Sequence, residues 1–143
     1  MNKAKNVLFE IKELDLQIKK RIMKVYKENS ISITPAQSKL LFYLKNNKDN
    51  NVTQKDLEKI TFLSKSTLSE SINNMVNDGL LIKASNEKDN RIKYISLTDK
   101  AYELLGDIED EFSKIENSII NNVSDNDLNK FFEVISIFKS NLN

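Results

Sequence analysis

Apolar residues recur at steps of three and four along most of this chain, and the phase of the repeat resets several times. Val7, Ile11, Leu14, Ile18, Ile22 and Val25 form one stripe, which predicts a first helix over about residues 4–28. Lys19, Lys20 and Arg21 lie beside it and read as a solvated flank. Thr34-Pro35-Ala36-Gln37 is a helix start: a capping threonine, a proline at the first helical position and a glutamine that closes a capping box. Leu40, Leu41 and Leu44 give this second helix its buried side, and the polar run from Asn47 to Asn51 ends it. Thr53 caps a third, short helix carrying Leu57 and Ile60, with Asp56 placed to bond back to the cap. After the turn Thr61-Phe62-Leu63, Ser64 caps a fourth helix. Its Leu68, Ile72, Met75 and Val76 point inward, and its Lys65, Ser66, Ser69, Glu70, Asn73 and Asn77 point outward. Asp78-Gly79 stops it, glycine supplying the left-handed backbone that ends helices cheaply.

The period then changes. Leu80-Leu81-Ile82-Lys83 and Ile92–Leu97 are strand candidates, separated by the wholly polar Asn86–Arg91, so a hairpin with a charged tip is expected. Thr98 caps the next helix, in which Tyr102, Leu105, Ile108, Phe112, Ile115 and Ile119 keep the helical spacing. Beyond a break at Ser124-Asp125, a last helix carries Leu128, Phe131, Ile135, Phe138 and Leu142. The fold class expected is therefore mainly α with a small β-hairpin wing.

Composition narrows the chemistry. Two glycines and one proline in 143 residues suit a helical chain. With no cysteine and no histidine, thiolate and imidazole metal sites, cysteine redox switching and the usual bases of nucleophilic catalysis are excluded; no cofactor, no metal and no enzyme activity are expected. A carboxylate-only metal or hydrolytic site at Asp107, Glu109, Asp110 and Glu111 is a rival, but neighbouring positions fan around a helix and read better as a solvated flank. No apolar run is long enough to span a bilayer, so a cytoplasmic protein without a membrane partner is expected. The formal charge is only +1, so any nucleic-acid site must be a local patch.

Two short capped helices followed by a hairpin make a winged helix-turn-helix. The fourth helix suits a major groove: its first turn, Ser64-Lys65-Ser66-Thr67, combines hydroxyls, a cation and free backbone N–H groups. Ordinary capping explains these residues equally well. Lys88, Arg91 and Lys93 lie on or beside the hairpin tip, where a guanidinium can enter a narrow minor groove, with Asp89 placed to aim it. An ordinary solvated loop with an Asp89–Arg91 pair is the competing reading.

From Ile33 to Leu105 the chain resembles the MarR family of bacterial regulators. The residues carrying the resemblance are Thr34-Pro35-Ala36-Gln37 with Leu40 and Leu44, Thr53-Gln54-Lys55-Asp56-Leu57, Ser66-Thr67-Leu68-Ser69, Gly79-Leu80-Leu81, and Asp89-Asn90-Arg91 followed by Leu97-Thr98. The Asp-x-Arg wing followed by Leu-Thr is the most specific part. The resemblance implies a sequence-specific regulator of the repressor type that binds double-stranded DNA as a homodimer on a pseudo-palindromic operator. It implies one MarR-like domain over 1–143, with residues 33–98 as the DNA-binding core and 1–30 and 99–143 as a helical dimerisation region. DNA contacts are then expected from Thr53, Gln54, Ser64, Lys65, Ser66, Thr67, Ser69, Glu70, Asn73, Asn74, Lys88, Asp89, Arg91 and Lys93. Many relatives bind small aromatic or anionic effectors between the dimer helices and the wing domain. Tyr26, Tyr43 and Tyr102 are candidates to line such a pocket, with core packing as the competing reading. The chain departs from the pattern at Glu70 and Asn74, where relatives often carry a basic residue, and at Ala101, where glycine is common. A carboxylate facing phosphates is repulsive, which leaves a second reading: a winged helix that binds protein instead of DNA.

Overall fold

The computed structural model describes residues 5–143. The described residues form six helices and two strands in the order α1 (Val7–Glu28), α2 (Pro35–Asn46), α3 (Gln54–Ile60), α4 (Lys65–Asn77), β1 (Leu81–Ser85), β2 (Lys93–Leu97), α5 (Asp99–Ile119) and α6 (Asp125–Leu142). The chain divides into two compact units, Met1–Glu109 and Asp110–Asn143, with the boundary inside α5.

Local chemistry sets the helix ends. α1 starts at Val7 because Asn6 Oδ1 accepts the Phe9 N–H at 3.3 Å; residue 4, where the helix was expected to begin, lies outside the described residues. At α2, Thr34 Oγ1 accepts the Gln37 N–H (3.1 Å) while Gln37 Oε1 accepts the Thr34 N–H (3.0 Å). At α3 the same exchange joins Thr53 and Asp56 at 3.1 and 2.9 Å. Each pair satisfies two backbone donors that the helix cannot. The backbone N–H of Thr53, and then its hydroxyl, hold the Asp56 carboxyl below its usual range.

The end of α4 explains a shift in the expected strand. Gly79 has φ +76°, its N–H bonds the Val76 carbonyl at 3.0 Å, and the Leu80 N–H reaches back to the Met75 carbonyl at 2.9 Å. This is a Schellman motif, with buried Leu80 and Met75 as its hydrophobic pair. Leu80 thus closes the helix, and the strand begins one residue later. At the other end, Ile92 belongs to the tip, its N–H bonding the Asp89 carbonyl at 3.0 Å, so β2 starts at Lys93.

The antiparallel hairpin pairs Leu81 with Leu97, Lys83 with Ile95 and Ser85 with Lys93. Directly opposed residues share a face, so one face runs from apolar at the helix end to basic towards the tip. The segment before α3 adds a short third pairing, Ile95 N–H to the Val52 carbonyl at 2.9 Å.

The core of the first unit is built from Leu41, Leu57, Leu68, Ile72, Met75, Leu105 and Ile108, all fully buried. Val76, expected inward, is half-buried, and Ile60 on α3 is exposed. The first ten residues of α5 therefore complete the winged helix-turn-helix core, which continues beyond residue 98. On α1 cover arrives late: Val7, Ile11 and Leu14 are exposed, and burial starts at Val25 and Tyr26. In the second unit, Ser124 Oγ accepts the Asp127 N–H at 3.1 Å to start α6, and the Phe131 and Phe132 rings pack edge to face at 5.5 Å. No residue of α6 is buried, and Phe131, Phe132 and Ile137 stand exposed. No helix among the described residues is long and apolar enough to cross a membrane.

Candidate nucleic-acid interface

The hairpin tip is held by two side chains. Asn86 Oδ1 accepts the N–H groups of Lys88 (2.8 Å) and Asp89 (3.2 Å), and Asn86 Nδ2 donates to Tyr94 Oη at 2.7 Å. Asp89 then takes the Arg91 N–H at 3.0 Å and grips the guanidinium twice, Nε to Oδ1 at 3.1 Å and Nη2 to Oδ2 at 3.2 Å. The Arg91 side chain and, after it, the Arg91 N–H lower the Asp89 pKa. The pair is fork-to-fork, so it fixes direction as well as distance. Arg91 nevertheless stays 91% exposed, its planar head presented to solvent.

Behind the tip, a cleft of about 740 Å³ opens between α3, α4 and the hairpin. It brings together Thr53, Gln54, Lys65, Asp89, Arg91 and Lys93 of the residues expected at a DNA face. It also recruits Lys55, Glu58, Lys83 and Ile92, which were not among them. Five cations meet two carboxylates here, an excess of three positive charges in a chain whose whole formal charge is +1. Lys93 Nζ donates to Ser85 Oγ at 2.6 Å across the wing, and Lys83 Nζ reaches Asn73 Oδ1 at 3.5 Å, which joins the wing to α4.

The first turn of α4 is a cluster of exposed hydroxyls. Ser64 Oγ accepts the Thr67 N–H at 3.2 Å, donates to Thr67 Oγ1 at 2.8 Å, and lies 3.2 Å from Ser66 Oγ. Lys65, Glu70, Asn73 and Asn74 are exposed along the same helix, and Lys88 is exposed at the tip. Thr53, Gln54 and Ser69 already have partners: Thr53 caps α3, and Gln54 Nε2 donates to Ser69 Oγ at 2.6 Å, tying α3 to α4.

A family model described as MarR family matches residues 31–92. The HTH-type transcriptional regulator BilQ of Clostridioides difficile (strain CD3) is 30% identical over 117 residues, 81% of this chain and 79% of BilQ. The chain belongs to the MarR family. Among solved structures, that of the S. aureus MepR–DNA complex superposes with a TM-score of 0.80 at 18% identity, covering 99% of this chain and 100% of that one. The heme sensor protein PefR from Streptococcus agalactiae superposes with a TM-score of 0.67 at 23% identity, covering 96% of this chain and 95% of that one.

Within this MarR fold the three tyrosines do not converge. Tyr26 lines a cavity of about 590 Å³ at the junction of α1 and α2, and burial raises its pKa despite its 2.6 Å hydrogen bond with Ser38. Tyr102 lines a separate cavity of about 210 Å³ with Tyr94, Asn47 and Asn51, and Tyr43 lines neither. The three tyrosines sit on three different helices, α1, α2 and α5. Lys55 and Lys83 had a signal in the sequence, a lysine two residues after each of Thr53 and Leu81, but only the strand register places Lys83 in the cleft.

Proposed function

We propose that this chain is a sequence-specific, double-stranded-DNA-binding transcriptional regulator of the repressor type, working as a homodimer on a pseudo-palindromic operator. The observation that carries the reading is the cleft, where Lys55, Lys65, Lys83, Arg91 and Lys93 concentrate positive charge between α4 and the wing. α4 enters the major groove with its first turn on the phosphates, and Arg91, aimed by Asp89, enters the adjacent minor groove. The side chains contributing to this face are those of the α4 surface from Ser64 to Asn74, the cleft lysines and Lys88. Thr53, Gln54 and Ser69 act mainly by fixing α3 against α4. Glu70, exposed on the groove-facing surface, weakens indiscriminate phosphate binding.

In this reading residues 33–98 contact DNA, and the helices of 1–30 and 99–143 join two copies. A twofold pair places the two α4 helices roughly 34 Å apart, one turn of B-DNA. The cavity beside Tyr26, framed by Met23, Ile31, Ile33 and Pro35 with Lys24 and Lys27, suits a small aromatic anion as effector.

The test is a fluorescence anisotropy titration against duplex from upstream of the protein's own gene, at several salt concentrations, with random DNA as competitor. The expected result is binding tighter than to random DNA with a steep salt slope, and a loss of about 1–3 kcal/mol in Arg91→Ala with the dimer intact. Binding no better than random with a shallow slope, together with an Arg91→Ala variant indistinguishable from wild type, would favour a protein-binding winged helix.

A further inference from the structure

The turn joining α3 to α4 is inverted for a surface turn. Thr61 Oγ1 is buried and finds no hydrogen-bond partner among the described residues. The next side chain, Phe62, stands wholly in solvent at 108% relative exposure, flanked by exposed Ile60 and Leu63. A hydroxyl inside and a phenyl ring outside are each unfavourable for folding. A turn that breaks local rules at two adjacent positions, with no compensating contact, marks a site kept for something other than stability.

The surroundings say what covers the ring. Phe62 lies two residues before Ser64, the cap of α4, whose exposed first turn offers Lys65, the Ser66 and Thr67 hydroxyls and free N–H groups. All of these are anion-binding groups. The partner of this corner must therefore be polyanionic and yet offer apolar surface within reach of one side chain. A protein partner would need carboxylates ringing an apolar pocket. Duplex DNA already has both features, with phosphates along the groove edge and thymine C5-methyl groups within it. We propose that Phe62 is a DNA-contacting, specificity-determining residue whose ring packs on a thymine methyl at the edge of the major groove that α4 enters. The inference rests on the DNA-binding reading above and adds a base preference to it.

The experiment begins with duplexes selected by the wild-type protein from a randomised library. Each thymine in a selected duplex is then replaced in turn by deoxyuridine, which removes only the methyl. At one thymine per half-site the wild type should lose about fourfold in affinity, the worth of one buried methyl group. Phe62→Ala should lose about tenfold on the unmodified duplex and be indifferent to that same replacement, while keeping its thermal midpoint because the ring makes no contact in the free chain. Unchanged affinity of Phe62→Ala, or losses that add independently at every thymine, would overturn the proposal while leaving DNA binding standing. Unchanged DNA affinity with reduced self-association in Phe62→Ala would also overturn it and assign the ring to a second copy. Failure of the wild type to enrich any duplex over random would overturn the DNA-binding reading itself, and this inference with it.

Discussion

α4 and α6 carry the same spacing of apolar residues, and the folded chain treats them differently. In α4, Leu68, Ile72 and Met75 are all completely buried, and the polar side chains are left on the outer face. In α6, Phe131, Phe132 and Ile137 stand exposed, and Leu128, Ile135 and Phe138 are only half-covered. α1 repeats the contrast within one helix, with its N-terminal half uncovered and its last turn buried. Helical periodicity reports that a face wants burial but not whose surface provides it. For α4 the cover comes from the same chain. The proposed homodimer supplies it for α6 and the front of α1, since apolar faces of this extent mark association surfaces.

The largest effect expected on either side of this comparison is in the core. Ile72→Ala removes a fully buried side chain under the DNA-facing helix and should cost about 2–5 kcal/mol in denaturant unfolding, loosening α4 before any DNA contact is touched. Next comes α6. Phe131→Glu places a charge on a face that is only proposed to be covered, so it should weaken the dimer by about 2 kcal/mol, read from sedimentation over a concentration series. A loss of stability without a change in mass would mean that α6 is covered from within its own chain. The smallest effect is local. Thr53→Ala removes the hydroxyl half of the α3 capping box and should cost about 1 kcal/mol at neutral pH, read from urea midpoints. The Thr53 N–H, and then its hydroxyl, hold the Asp56 pKa down, so the stability that the Asp56 carboxylate contributes is full above the ordinary carboxylate pKa of 3.8 and is lost as pH falls through the depressed value. Thr53→Ala keeps that N–H, so the gap between wild type and variant should narrow in acid only by the smaller share due to the hydroxyl.

What was legible in the sequence follows the same division between local and distant causes. The caps at Thr34, Thr53 and Ser64 and the glycine stop at Gly79 depend on side chains reaching one turn of helix, and all four stand where the sequence puts them. The Asp89–Arg91 pair was legible for the same reason, its partners being two residues apart. The apolar side chain of Leu80 fits a strand or a helix end equally well, and only the hydrogen bond to Met75 decides. Lys83 was missed because its place in the cleft depends on the register between two strands. Phe62 is one residue of a turn in the sequence, and exposure of its ring beside a threonine whose hydroxyl is buried is a property of how α3 and α4 pack. Helical position says which way Tyr26, Tyr43 and Tyr102 point along one element but not which gap each meets.

The central claim is that a dimer assembled through the uncovered helical faces carries two copies of the α4 and wing surface onto one duplex. The most direct test is sedimentation of a selected duplex titrated with the full chain, following the mass of the complex. Two chains arriving together on each duplex, with no one-chain complex accumulating at low protein, is the result this account predicts. A complex holding a single chain, or duplex that sediments unchanged at protein concentrations where the dimer is formed, would contradict it.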